Sequence, residues 1–219
     1  MLNRGHFIVV EGLEGAGKTT ALQTLKRVLS DHVSELITTR EPGGTRVGEA
    51  ARHLIKDASS TEPLDPRTEL LLLYASRVQL IELVIRPALA RGCWVLADRF
   101  ELSTWAYQGG GRKLPREVIA QLSSFCLNSL QPDLIIFLDI QPEQGLRRVK
   151  KRGKFDRIEQ ESLVFFKDVA EGYHQQIRTM NNVAVIDASK PQAQVQHQVQ
   201  KAIEAHIQAH HHELDVGKT

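Results

Sequence analysis

The sequence predicts an α/β domain in three layers, with a five-stranded, mainly parallel sheet between two layers of helices. Two observations carry this. Five short β-branched runs stand at Phe7-Ile8-Val9-Val10, Leu36-Ile37-Thr38-Thr39, Trp94-Val95-Leu96-Ala97, Leu134-Ile135-Ile136-Phe137-Leu138 and Val183-Ala184-Val185-Ile186. They are nearly continuous rather than alternating, the pattern of strands buried on both faces. Helical spacing fills the intervals, and strands alternating with helices build a parallel sheet.

The elements follow in order. Leu22, Leu25 and Leu29 mark a helix after the first run. A long helical segment covers about 65–90, with Leu70, Leu73, Tyr74, Arg77 and Ile81 along one face. Leu163, Phe166, Ala170, Tyr173 and Ile177 give a 3-4-3-4 stripe, and Val195, Val199, Ala202 and His206 a weaker terminal helix. No internal repeat occurs. Residues 1–208 read as one domain, and 209–219, with His210-His211-His212, as a polar, frayed, solvated tail.

Composition narrows the function. With 28 basic and 26 acidic residues the formal charge is +2, too balanced for a protein that coats nucleic acid. Cys93 and Cys126 match neither a redox nor a zinc spacing, and both read as buried structural thiols. No apolar run is long enough to cross a membrane, and the first residues lack a signal-peptide core. A reducing cytoplasm is the expected compartment.

Gly12-Leu13-Glu14-Gly15-Ala16-Gly17-Lys18-Thr19 matches G-x-x-x-x-G-K-[ST] between a strand and an amphipathic helix. Such a loop turns backbone N–H groups onto phosphate oxygens. Lys18 reaches the terminal phosphates, and the Thr19 hydroxyl binds Mg²⁺. The chain is therefore expected to bind a nucleoside triphosphate. No N-K-x-D string follows a strand, which argues against a guanine-specific GTPase.

An acceptor site should lie at the carboxyl ends of neighbouring strands. Arg40-Glu41-Pro42-Gly43-Gly44-Thr45, Asp98-Arg99-Phe100 and Ser103-Thr104-Trp105-Ala106-Tyr107-Gln108 leave such ends. Asp98 is placed to meet Mg²⁺, and Arg99 to clamp an acceptor phosphate. Arg77 lies on an apolar helical stripe, so it either pairs with a structural carboxylate or faces a cleft. Tyr74 and Tyr107 are either core or aromatic walls. Arg147, Arg148, Lys150, Lys151, Arg152, Lys154 and Arg157 form a basic cluster with Gly153 inside it, read as a lid over 147–158. An arginine closing on the transferring phosphoryl group neutralises its charge. A solvated basic helix face or a nucleic-acid patch is the bland alternative for that cluster.

These motifs together, with Tyr74-Ala75-Ser76-Arg77-Val78-Gln79 and Asp156-Arg157-Ile158-Glu159, resemble the bacterial thymidylate kinases over about 7–188. The resemblance implies Mg-ATP-dependent phosphorylation of dTMP to dTDP for dTTP synthesis, a nucleoside-monophosphate-kinase fold and a homodimer. It places ATP on Gly12, Leu13, Glu14, Gly15, Ala16, Gly17, Lys18, Thr19 and Thr20, and metal on Thr19 and Asp98. It gives dTMP to Glu14, Arg40, Glu41, Leu73, Arg77, Arg99, Thr104, Tyr107 and Gln108. In that pattern Arg99 holds the phosphate, Arg77 reaches a thymine carbonyl and Thr104 the thymine edge. Tyr107 crowds the 2′ position. With no arginine in the loop, the chain resembles the lid-arginine class. Lys18, Arg99, Arg152, Arg148 and Glu14 are then the catalytic set, with Arg152 the first choice in the lid. One departure stands out: Leu73 occupies a position where the family usually stacks Phe on thymine. The acceptor phosphate is already anionic near neutral pH, with a second pKa of about 6, so in-line transfer needs no strong general base. A nucleotide-binding regulator without turnover is the rival class, and Lys18, Asp98 and the lid arginines argue against it.

Overall fold

The computed structural model describes residues 4–151, 153 and 155–216, with side chains as far as His210. The sheet has five strands: β1 (Phe7–Gly12), β2 (Leu36–Arg40), β3 (Trp94–Asp98), β4 (Leu134–Asp139) and β5 (Val183–Asp187). All pairs are parallel, in the order β2-β3-β1-β4-β5. The expected architecture is therefore present, and the sheet is parallel throughout. β1 lies at the centre with Val10 opposite Asp98 and Gly12 opposite Leu138. The chain leaves β1 toward β2 on one side and later fills β4 and β5 on the other. That reversal opens crevices at the carboxyl ends.

The uniform runs do not all mean burial on both faces. β1, β3 and β4 are buried along nearly their whole length, whereas β2 is half-buried or exposed throughout and β5 buries only Ile186. β2 and β5 are the edges, where neighbouring strands and helices cover less of the chain.

The helices are α1 (Lys18–Ser30), α2 (Arg46–Lys56), α3 (Pro66–Leu80), α4 (Arg86–Ala90), α5 (Glu101–Thr104), α6 (Arg116–Leu127), α7 (Pro142–Lys150), α8 (Leu163–Ile177) and α9 (Gln192–Val216). Side chains cap the starts of α2, α3 and α8. Thr45 accepts from the Gly48 N–H at 3.0 Å, Asp65 from Arg67 at 2.8 Å and Ser162 from Phe165 at 3.2 Å. Pro66 occupies the first turn of α3.

Two wide, π-helical stretches depart from the sequence reading. Ile81–Ile85 joins α3 to α4 inside the long helix, and Trp105–Gly111 extends α5 within the polar segment that follows β3. The second packs along α8. A Cβ on Gly111 would lie 2.4 Å from the Phe165 ring, so the glycine permits that approach. On α8 the buried side chains are Phe165, Phe166, Val169 and Tyr173, while Leu163, the first residue of the expected stripe, is exposed.

Helix α9 continues to Val216, so the backbone of the expected frayed tail is helical as far as it is described. His206 and His210 bring it against Trp94 of β3 and against His6, just before β1. The His6 ring stacks on Trp94 at 4.6 Å, His6 Nδ1 lies 2.8 Å from His206 Nε2, and the His210 ring is 4.0 Å away. Of the two thiols, Cys93 is buried as expected but Cys126 is half-buried on α6. No described helix is long and apolar enough to cross a membrane.

Candidate active site

The glycine loop leaves β1 and ends at the first turn of α1, as its spacing predicts. Gly15 has φ +73°, and a Cβ there would sit 2.2 Å from the Gly145 carbonyl oxygen. The start of α7 therefore packs directly on the loop. Lys18 Nζ donates to the carbonyls of Gly12 (3.0 Å) and Leu13 (2.9 Å). Burial pulls its ammonium down to about 8. Arg99 adds to the shift, and Glu14, Asp98 and Glu11 oppose it.

A cavity of about 440 Å³ opens beside this loop. Its floor carries Lys18, Thr19, Asp98 and Arg99. Arg99 sits at φ +68° just past β3. Its Nη2 donates to Glu14 Oε1 at 2.7 Å and to the Tyr107 hydroxyl at 3.1 Å. Its Nη1 donates to the hydroxyls of Ser103 (3.0 Å) and Tyr173 (2.9 Å). The Tyr107 hydroxyl also donates to Glu14. Burial alone would raise the Glu14 carboxyl, but Arg99 and Lys18 hold it below the ordinary range. Asp98 Oδ1 is buried with no hydrogen-bond partner among the described residues. With the Thr19 hydroxyl beside the same cavity, this gives a hard-oxygen donor set of the kind Mg²⁺ prefers.

The far end of the cavity belongs to α3. Arg77 is 1% exposed, and both readings of it hold, since it pairs with carboxylates and also lines the cleft. Its Nε donates to Glu41 Oε2 at 2.7 Å, Nη1 to Glu101 Oε2 at 2.5 Å and Nη2 to the Phe100 carbonyl at 3.3 Å. Burial pushes the Glu41 carboxyl up to about 7 even with the guanidinium beside it. Leu73 lines the same end. So does Thr104, whose Oγ1 is buried without a partner among the described residues. Gln108 also faces in, its amide held by Glu69 at 2.6 Å. Tyr74 is core, with its hydroxyl donating to Glu101 at 2.9 Å. Arg40 lies at the rim, donating to both oxygens of Glu49 at 2.9 Å.

A second cavity, about 320 Å³, lies across the loop and is lined by Ala16, Thr20, Arg148, Ala188, Gln192 and Val195, among others. Arg148 on α7 donates to the Gly15 carbonyl at 3.2 Å and the Ala188 carbonyl at 3.1 Å, which lays its guanidinium over the loop. Arg152, the first choice for the lid arginine, lies outside the described residues. The chain at the end of the basic cluster is tied down. Asp156 accepts from Lys56 at 2.5 Å, and Arg157 Nε donates to the Ile55 carbonyl at 2.7 Å.

The thymidylate kinase family model matches residues 10–199. The chain belongs to the thymidylate kinase family. It is 55% identical over 204 residues to a thymidylate kinase of Legionella pneumophila strain Corby and 54% identical to that of strain Paris. Each alignment covers 93% of this chain and 96% of the relative. As a member of that family the protein is a phosphotransferase, and two cavities meeting at one phosphate loop are the form that activity requires.

The fold gathers the expected residues from distant segments. Glu14, Glu41, Leu73, Arg77, Arg99, Thr104, Tyr107 and Gln108 border one cavity. Sequence reasoning passed over the carboxylates that hold them, namely Glu11, Glu69 and Glu101. Glu69 is 1% exposed and binds Gln108, Arg112 and Arg157. The available signal was a charge inside an apolar context, as in Val9-Val10-Glu11-Gly12. Tyr173 was read as part of a packing stripe, although its hydroxyl serves the site.

Proposed function

We propose that the protein transfers the γ-phosphoryl group of ATP to dTMP, giving dTDP, by direct in-line displacement. The larger cavity takes dTMP and the smaller one the ATP base and ribose, so the two phosphate chains meet over Lys18. Arg99 holds the acceptor phosphate, which displaces Glu14 from the guanidinium. Arg77 and Thr104 meet the thymine edge, Leu73 packs on its face, Tyr107 and Glu14 crowd the sugar, and Arg40 serves the phosphate end. Thr19 and Asp98 hold Mg²⁺, which when bound neutralises charge on the phosphates. Lys18, Arg99 and the lid arginines Arg148 and Arg152 supply the remaining neutralisation.

The observation that carries this reading is the pair Asp98-Arg99 at the end of β3. It stands beside Lys18 and opens into a cavity that ends in Arg77 and the unpartnered Thr104 hydroxyl. The test is ADP release from Mg-ATP with dTMP, dUMP, UMP, dCMP and thymidine side by side. Clear preference for dTMP supports the reading. Equal use of dUMP keeps the reaction but shows a base site loosened at Leu73. No acceleration by any monophosphate overturns it.

We further place the enzyme in the cytoplasm as a homodimer. Exposed apolar side chains gather on neighbouring helices, with Leu71 on α3, Leu83 just after it, and Val118 and Phe125 seven residues apart on α6. Phe125 is 83% exposed, a cost that burial against a second copy removes. Phe125→Glu is expected to yield monomers in sedimentation velocity, and an unchanged mass rules out this face.

A further inference from the structure

The acceptor arginine is steadied by a carboxylate that never reaches the cavity. Glu11 lies near the end of β1 and is fully buried. Its Oε1 accepts from the backbone N–H groups of Phe100 (2.8 Å) and Ser103 (3.2 Å). Its Oε2 accepts from the Ser103 hydroxyl (2.6 Å) and the Tyr173 hydroxyl (2.9 Å). Those two hydroxyl oxygens are the ones that accept from Arg99 Nη1.

The polarity of this arrangement is fixed. An ionised carboxylate only accepts hydrogen bonds. Both hydroxyls must therefore spend their hydrogens on Glu11 and present lone pairs to the guanidinium. The pair lies 2.9 Å apart, and neither oxygen has a second hydrogen to give the other. The main chain needs holding too, because Arg99 sits at φ +68°, a region that residues with side chains avoid. The bond from Glu11 to the Phe100 N–H pins the peptide that follows. Burial pushes the Glu11 carboxyl up, while Arg99, 4.0 Å away, and the four hydrogen bonds favour its charged form.

We propose that Glu11 is a positioning residue for acceptor binding. By taking both hydroxyl hydrogens it aims the lone pairs of Ser103 and Tyr173 at Arg99 and fixes the guanidinium edge that meets the phosphate of the acceptor nucleotide. This rests on the reading of Arg99 as the group that holds the acceptor phosphate. Glu11→Gln keeps the shape but reverses the polarity. The amide hydrogens claim the hydroxyl oxygens, whose own hydrogens then turn toward Arg99.

The test compares the affinities of dTMP and thymidine, which differ only in the phosphate. They are measured by calorimetry or competition on the full chain, with thermal melts as a folding control. Glu11→Gln is expected to weaken dTMP about tenfold and leave thymidine and ATP within about twofold. Tyr173→Phe, which deletes one of the two links, is expected to do the same to a smaller degree. The double variant should fall short of the product of the two. General damage to the pocket would weaken dTMP and thymidine alike, and that result overturns the proposal, as does unchanged dTMP binding. Should Glu11→Gln fail to fold, Tyr173→Phe decides on the same criterion. Arg99→Lys separates the two layers. If it does not weaken dTMP relative to thymidine, the reading of Arg99 is wrong. If it does and Glu11→Gln does not, only the positioning role falls.

Discussion

Replacing Arg77 by Met tests how the acceptor cleft is held together. The guanidinium is 1% exposed and lies within 2.7 Å of Glu41 and 2.5 Å of Glu101. Its carbon also sits 5.1 Å from the Tyr74 ring centre and 5.3 Å from that of Phe100. Methionine fills much of the space and supplies no charge, so the buried Glu41 and the half-buried Glu101 lose their counter-ion. Breaking a buried pair in this way costs about 3–5 kcal/mol. For a chain of this size that is a fall in Tm of about 6–20 °C. The loss should depend on pH. Glu41 is already raised to about 7 with Arg77 in place, and its carboxyl rises further without it. A carboxyl raised above its unfolded value destabilises the fold only when ionised. The penalty is therefore absent below about pH 4.3 and grows as pH rises through the folded value. The gap between Arg77→Met and the parent is expected to be widest above about pH 8 and to narrow toward about pH 5. Circular dichroism melts without nucleotide measure it. A loss under about 1 kcal/mol at every pH would refute the reasoning, because it would mean the carboxylates are solvated or the pairing is neutral.

Other consequences are as concrete. Leu73→Phe restores a ring to the base wall, and a stacking gain of about 0.5–1.5 kcal/mol should lower the KM for dTMP by up to about tenfold. An unchanged KM would mean that Leu73 does not touch the base. Lys18, lowered to about 8, should gain a proton when phosphates arrive, so ADP binding near pH 8 should show proton uptake in buffers of different ionisation enthalpy. Uptake that survives in Lys18→Met would assign the proton elsewhere. His6 is lowered to about 4, chiefly by burial, so its neutral ring favours the fold; that stability is complete above about pH 6.5 and is lost as pH falls toward 4. Discounted for its partial exposure, the effect is about 1–2 kcal/mol. His6→Phe, which keeps a ring on Trp94, should shrink the difference in Tm between pH 7 and pH 5.

The sequence made the central strands and the phosphate loop legible because both follow local rules. Val9 and Val10 can hardly be anything but buried strand, and glycine spacing fixes the loop. The edge character of β2 and β5 was not legible, since a β-branched run looks the same whether or not a neighbour covers it. The helical form of Trp105–Gly111 was not legible, because three glycines weaken any helical pattern. What holds it helical is packing on α8, a partner some 60 residues away. Lys18, Thr19, Asp98, Arg99 and Arg77 stood out through the phosphate loop, the strand end and a charge on an apolar stripe, and resemblance to a known family supplied the roles of Leu73 and Thr104, whereas Glu11, Glu69 and Glu101 emerged by neither route. Their value lies in hydrogen bonds to partners far along the chain, such as Tyr173 for Glu11, and spacing carries no trace of those.

The strand order also has a bearing on how this enzyme could be altered. Apart from the glycine loop and the start of α1, and Ile158 and Glu159 past the basic cluster, the larger cavity is built from residues 40–108, while the smaller takes its lining from 148–199. Under the assignment proposed above, the residues that face acceptor and donor therefore fall mostly in separate stretches of the gene, on opposite sides of β1. A segment from β2 to Gly111 carries most of the larger cavity's lining and none of the smaller one's. Selection on one substrate need not disturb the other.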